Sequence, residues 1–153
     1  MQNANEQFEA FKKSVDDYIE LKGIKQVSFT GDFDVALNLD LDVMDKLTQQ
    51  ECFDYAYTLY QYAGYVQDEL SQQQVVVDWC VSRLNYIIAN NEDCFPQYTK
   101  HEMKVPIIIK ENSFASKVEQ WRLVAESRLK RLEGKDSLTR RKADCLMEKG
   151  KRK

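Results

Sequence analysis

Between Cys52 and Ile87, side chains suited to a buried seam return at alternating steps of four and three. The positions are Cys52, Ala56, Leu59, Ala63, Val66, Leu70, Gln73, Val77, Cys80, Leu84 and Ile87, and ten of the eleven are apolar. Five heptads in register make one helix with a seam for another helix. "TQQE" at 48–51 supplies a capping box, Thr48 as N-cap and Glu51 reaching back, so the helix is predicted over 49–90. At 1.5 Å per residue it would run roughly 60 Å, and a rod of that length cannot bury its seam alone. Gln73 is the one polar seam residue. It is either a device that sets register or oligomer state or a solvated imperfection.

"YAYTLYQYAGY", residues 55–65, places five tyrosines on this rod. Tyr57 and Tyr60 flank the seam and are expected to pack with their hydroxyls at its edge. Tyr55, Tyr62 and Tyr65 fall further round and suit a second helix, a second subunit or a ligand. Packing is preferred over base stacking for these rings. Ala56 and Ala63 permit close helix approach.

The rest of the chain supplies candidate partners. Phe8, Phe11, Val15 and Tyr18 share one face of a helix predicted over 5–21, with Gly23 as its stop. Over 27–43 the period changes to two. Phe33, Val35, Leu37, Leu39, Leu41 and Val43 alternate with polar or small residues, which predicts a half-buried strand or extended arm. "TGD" at 30–32 is placed to turn a hairpin. Asp34, Asp40 and Asp42 would share the solvated face of that strand, so a solvated role is preferred to a metal site. Asn90, Asn91 and Pro96 end the long helix and open a connection over 92–111. Within it "KVPIII", 104–109, reads as a short extended piece. Asn112 or Ser113 caps a final helix predicted over 112–148, striped by Val118, Trp121, Ala125, Leu129 and Leu132. Gly134 is placed to bend or interrupt it, and residues 149–153 read as a frayed tail.

The fold class that follows is mainly α. It is a long antiparallel, coiled-coil-like helical hairpin with an N-terminal helix and a short extended or β segment, taken as a single domain over 1–153. The composition agrees: seven Pro and Gly residues in all are too few for a turn-rich β fold. No apolar run is long enough to span a membrane. "MQNANEQFEAFKK" lacks the apolar stretch of a signal peptide, so the expected setting is cytoplasmic, with four free thiols. The cysteines and His101 fit no structural zinc spacing. No Gly-rich phosphate loop, nucleophile elbow or HExxH motif occurs, and with one histidine the chain is read as non-enzymatic and without cofactor.

Charge is strongly polarised behind a net of −3. Residues 1–54 hold twelve acids and five bases, whereas residues 100–153 hold eight acids and sixteen bases. Such a chain pairs its own halves, pairs with copies of itself, or offers its basic end to a polyanion. Lys130, Arg131, Lys135, Arg140, Arg141 and Lys142 are the candidate phosphate contacts, and Trp121 a secondary candidate for base stacking.

The capped helix "LTQQECFDYAYTLYQYAGYVQDEL", the later "VVVDWC" and the final "SKVEQWRLVAESRLKRLEGKDSL" resemble small helical proteins of tailed bacteriophages. Within that group the chain is similar to the UvsY-type recombination mediators over about 45–148. The resemblance lies in helix order, helix length and aromatic placement, and no binding motif carries over residue by residue. It implies a homo-oligomeric protein of the host cytoplasm that binds single-stranded DNA during recombination and contacts a recombinase or a single-strand binding protein. The alternative is a structural or scaffolding module that binds protein and no nucleic acid.

Overall fold

Thr48 does cap the long helix: its hydroxyl accepts from the Glu51 amide, and the Glu51 carboxylate accepts from the Thr48 amide. The computed structural model describes residues 3–24 and 33–153. Six α-helices follow in chain order: α1 Ala4–Leu21, α2 Phe33–Leu37, α3 Leu41–Lys46, α4 Gln49–Ala89, α5 His101–Glu111 and α6 Ser113–Lys151. A short 3-10 turn at Glu92–Cys94 links α4 to α5. No strand occurs among the described residues.

The chain divides into two compact units, each containing a length of α4 and a length of α6. The first comprises Met1–Lys25 and Gln72–Arg128; the second comprises Gln26–Ser71 and Leu129–Lys153.

In the first unit α1, α5 and the second half of α4 meet the start of α6. The seam residues Cys80, Leu84 and Ile87 are buried with Trp79, Ile88, Ile108, Ala115 and Val118, and Val77 is buried as well. Phe8 joins the two tryptophans, its ring centroid 5.2 Å from Trp79 and 5.1 Å from Trp121. The α4 and α6 lengths run antiparallel here, since Gln72 lies near Arg128 while Cys80 lies near Glu119. Asn3 and Glu6 form a capping box at the head of α1, and Gly23 ends that helix at φ 68°, a left-handed conformation that glycine adopts without a Cβ clash.

In the second unit Cys52, Ala56, Leu59, Ala63 and Val66 are all at most 2% exposed. Ala36 and Met44 from α2 and α3, and Ala143 and Leu146 from α6, share one core with the first three. The helices are again antiparallel: Gln49 donates to the Gly150 carbonyl at 3.0 Å and Tyr60 reaches Asp144. At Gly150 α6 approaches α4 closely, since a Cβ there would stand 2.6 Å from the Phe53 ring and 3.2 Å from the Cys52 Cβ.

Five expectations are corrected. Residues 33–46 form α2 and α3, not an extended segment. Phe33, Ala36 and Leu37 also satisfy helical spacing, and these are the residues that pack; Val35, Leu41 and Val43, which made the alternation, stay 58%, 62% and 42% exposed. Asp40 turns the chain into α3 by accepting from the Val43 amide at 2.8 Å. The proposed turn at 30–32 lies outside the described residues. "KVPIII" belongs to α5 with Pro106 inside the helix. A helix brings Val105 and Ile108 to one face of the first unit's core, and that burial outweighs the bond that Pro106 withholds. Gly134 interrupts nothing, and α6 continues past 148 to Lys151. Tyr57, expected at the seam edge, is 66% exposed.

Two predictions test this packing. Each unit holds one buried and one exposed thiol: Cys80 and Cys94 in the first, Cys52 and Cys145 in the second. Burial pushes the Cys80 thiol up to about 11, so it is protonated and shielded at neutral pH. Iodoacetamide followed by mass spectrometry is expected to mark Cys94 and Cys145 rapidly and to reach Cys52 and Cys80 only in denaturant; equal labelling of all four in buffer would contradict the packing. Gly134→Ala meets no atom within 4 Å and is expected to stabilise by roughly 0.5–1 kcal/mol, the helix preference for alanine. Gly150→Ala is expected to lose that gain against Phe53, as chemical denaturation of both variants would show.

Candidate nucleic-acid interface

A helix of 3.6 residues per turn sorts the cations of α6 by face. Thr139, Ala143 and Leu146 point into the second unit and are at most 5% exposed. Lys130 and Arg141 are eleven residues apart, close to three whole turns, and share one direction away from that buried face. Arg131 and Lys135 stand one turn apart, about 80–140° round the helix from that pair and nearer the buried face. All four are exposed, and none of the four makes an ion pair or hydrogen bond among the described residues. From Lys130 to Arg141 the four cover about 16 Å of helix axis at 1.5 Å per residue. Leu138, 66% exposed, lies within that span.

The other two candidates are engaged in the fold. Arg140 pairs with Asp136 one turn earlier, Nε to Oδ1 at 3.0 Å. Lys142 is half-buried and donates from Nζ to the Leu37 carbonyl at 2.5 Å. That carbonyl ends α2, and a cation at a helix C-terminus satisfies an orphan acceptor and the negative end of the dipole. Burial pulls the Lys142 ammonium below the usual lysine range, opposed by Asp40.

Sequence reasoning missed two cations with the same kind of task. The Lys153 ammonium donates to the carbonyls of Met44, Asp45 and Leu47 at 3.2, 3.1 and 2.5 Å, closing the end of α3 from the last residue of the chain. Lys149 pairs with Asp45, which holds the Asp45 carboxyl below the usual carboxylate range and the Lys149 ammonium above its own. Both are exposed enough for solvent to screen the pair. The run "KGKRK" carried only a signal of net positive charge, because the carbonyls it meets lie about a hundred residues earlier in sequence.

The aromatic candidates have structural surroundings. Trp121, in the first unit, is half-buried against Phe8, with the Lys117 ammonium 5.9 Å from its ring centre. In the second unit the Tyr60 hydroxyl donates to Asp144, and this bond holds the phenol above its ordinary value. Tyr62 meets Phe33 edge to face at 5.3 Å and 72°, and Tyr55 packs against the core. Asp40, once grouped with Asp34 and Asp42, spends its carboxylate on the cap of α3. His101 stands exposed at the start of α5.

The cations of α6 pair with its own acids, as in Glu119–Arg122–Glu126 and Asp136–Arg140, and with Asp45 of α3. Glu119 holds the Arg122 guanidinium above its usual range, with its Oε2 2.7 Å from Nε. Apolar packing joins α4 to α6 in both units, with the Gln49–Gly150 and Tyr60–Asp144 hydrogen bonds added in the second, and Lys130, Arg131, Lys135 and Arg141 are left facing solvent. Such a set of cations can hold an anionic polymer by its phosphates without reading bases.

Comparison with protein-family models, with curated proteins and with solved structures found no significant match to the chain.

Proposed function

We propose that this chain is a non-enzymatic accessory protein that holds single-stranded nucleic acid along the exposed surface of α6, as a homo-oligomer in the manner of a recombination mediator. One observation carries the reading. Of the six cations that the sequence offers, Lys130, Arg131, Lys135 and Arg141 are exposed and have no internal partner among the described residues. A cation retained for folding is expected to meet a carboxylate or a carbonyl, as Arg140, Lys142, Lys149 and Lys153 do. Phosphate contacts add and are independent of sequence, so several copies would multiply the affinity of one such set. The likeness to UvsY-type mediators supports single strands as the polymer, and a recombinase or single-strand binding protein as the further partner.

A second reading is an assembly module without nucleic acid. Val35 and Leu41 on α2 and α3, and Tyr57 on α4, are each more than half exposed, which suits contact with another protein chain.

Binding of a fluorescent single-stranded oligonucleotide across a salt series separates the two. Four phosphate contacts predict that log K falls with log salt at a slope of about −3, at ~0.7 per contact for single strands. The combined Arg131→Glu, Lys135→Glu and Arg141→Glu variant is expected to abolish binding with its helical circular dichroism intact. Arg140→Glu alone is expected to weaken binding much less. No binding at low salt, or a charge-reversed triple variant that binds as well as the parent, would remove the first reading.

A further inference from the structure

The first unit contains a cleft of about 350 Å3 between α1, α4 and α6, within the size range of small-ligand sites. Its apolar wall is built from Phe8, Phe11, Val76 and Trp121. Its polar groups are Lys12 and Asp16 on α1, Gln72 and Gln73 on α4, and Arg128 on α6. Gln73 is the residue that breaks the apolar seam of α4, and it lines this cleft, half-buried. An apolar side chain there would extend the seam and fill space; a glutamine instead presents an amide donor and acceptor to the cleft. Lys12 and Arg128 make no ion pair among the described residues, although the neighbouring Lys13 pairs with Asp17 at 3.0 Å. Two cations against one carboxylate leave the cleft with a surplus positive charge beside its aromatic wall.

We infer that this cleft binds a small amphiphilic monocarboxylate. Its apolar body lies against Phe8, Phe11 and Trp121, and its carboxylate is met by Arg128 and Lys12, with Gln73 hydrogen-bonded to the head group. Apolar burial supplies most of the affinity, and the charge-assisted hydrogen bonds set the preference for an anion. This site belongs to the first unit and is independent of the nucleic-acid reading, whose cations all lie in the second.

Calorimetric titration of the intact chain with octanoate, and with octylammonium as the same tail bearing the opposite charge, tests the inference. Octanoate is expected to saturate one site with a Kd of about 100 µM or below, as ten or so non-hydrogen atoms can support, and to bind at least tenfold tighter than octylammonium. Arg128→Gln is expected to weaken octanoate about tenfold. Gln73→Leu is expected to weaken it by a similar factor while raising the melting temperature by about 3 °C, the mark of a residue kept for a ligand at the expense of packing. No saturable heat up to about 10 mM octanoate in the parent chain would overturn the inference, whatever the variants do. Equal affinity for the two head groups, or octanoate binding unchanged in both variants, would overturn it as well.

Discussion

The burial of the α4 seam against α6 is the interaction from which the remaining structure follows. In the second unit the contact is made through small residues: Cys52, Ala56 and Ala63 on α4 and Ala143 and Gly150 on α6 are all buried. Small side chains let two helix backbones approach closely, and close approach multiplies weak dispersion contacts. In the first unit the contact is broader and aromatic, with Trp79, Trp121 and Phe8 filling the space that α1 and α5 enclose. Fully burying one such leucine or valine contributes about 1.5–3 kcal/mol, whereas an exposed ion pair contributes at most about 1. Packing therefore dominates the pairing of these helices, and charge is left to serve other ends.

One of those ends is the stabilisation of α2 and α3. Helices of five and six residues are far below the length at which an isolated helix forms in water. Each is held at its C-terminal end by a lysine: Lys142 of α6 on the Leu37 carbonyl, and Lys153, just past α6, on the carbonyls of Met44, Asp45 and Leu47. Phe33, Ala36 and Met44 then bury their apolar side chains. The basic end of the chain thus has two populations of cations, one turned inward onto helix ends and one turned outward to solvent. Only the outward one is available to a polyanion.

How much of this was legible depended on the length of the pattern. The α4 seam persists for five heptads, and nine of its eleven positions are buried; Leu70 and Gln73 are half-buried. The caps at Thr48 and Asn112 and the stop at Gly23 were also readable, because each depends on residues within three or four positions. The segments 33–43 and 104–109 were not. A short apolar run fits a helix or a strand equally well, and the decision came from which side chains found a core. Gly134 carried a breaking signal worth only ~1 kcal/mol, too little to stop a helix packed on both sides of it in sequence. For the candidate interface, sequence showed where the cations were but not which were already engaged, since Lys142 answers to a carbonyl 105 residues away. The division into two units left no trace in the sequence because α4 and α6 pass through the boundary unbroken.

The account requires that α4 be covered by α6 of the same chain. Isotope-filtered nuclear Overhauser spectroscopy on an equal mixture of labelled and unlabelled protein addresses this directly, since it separates contacts within a chain from contacts between chains. The structure predicts within-chain effects between the Phe53 ring and the Gly150 Hα in the second unit, and between the Phe8 and Trp121 rings in the first. Finding either effect only between labelled and unlabelled chains, or finding neither, would contradict it.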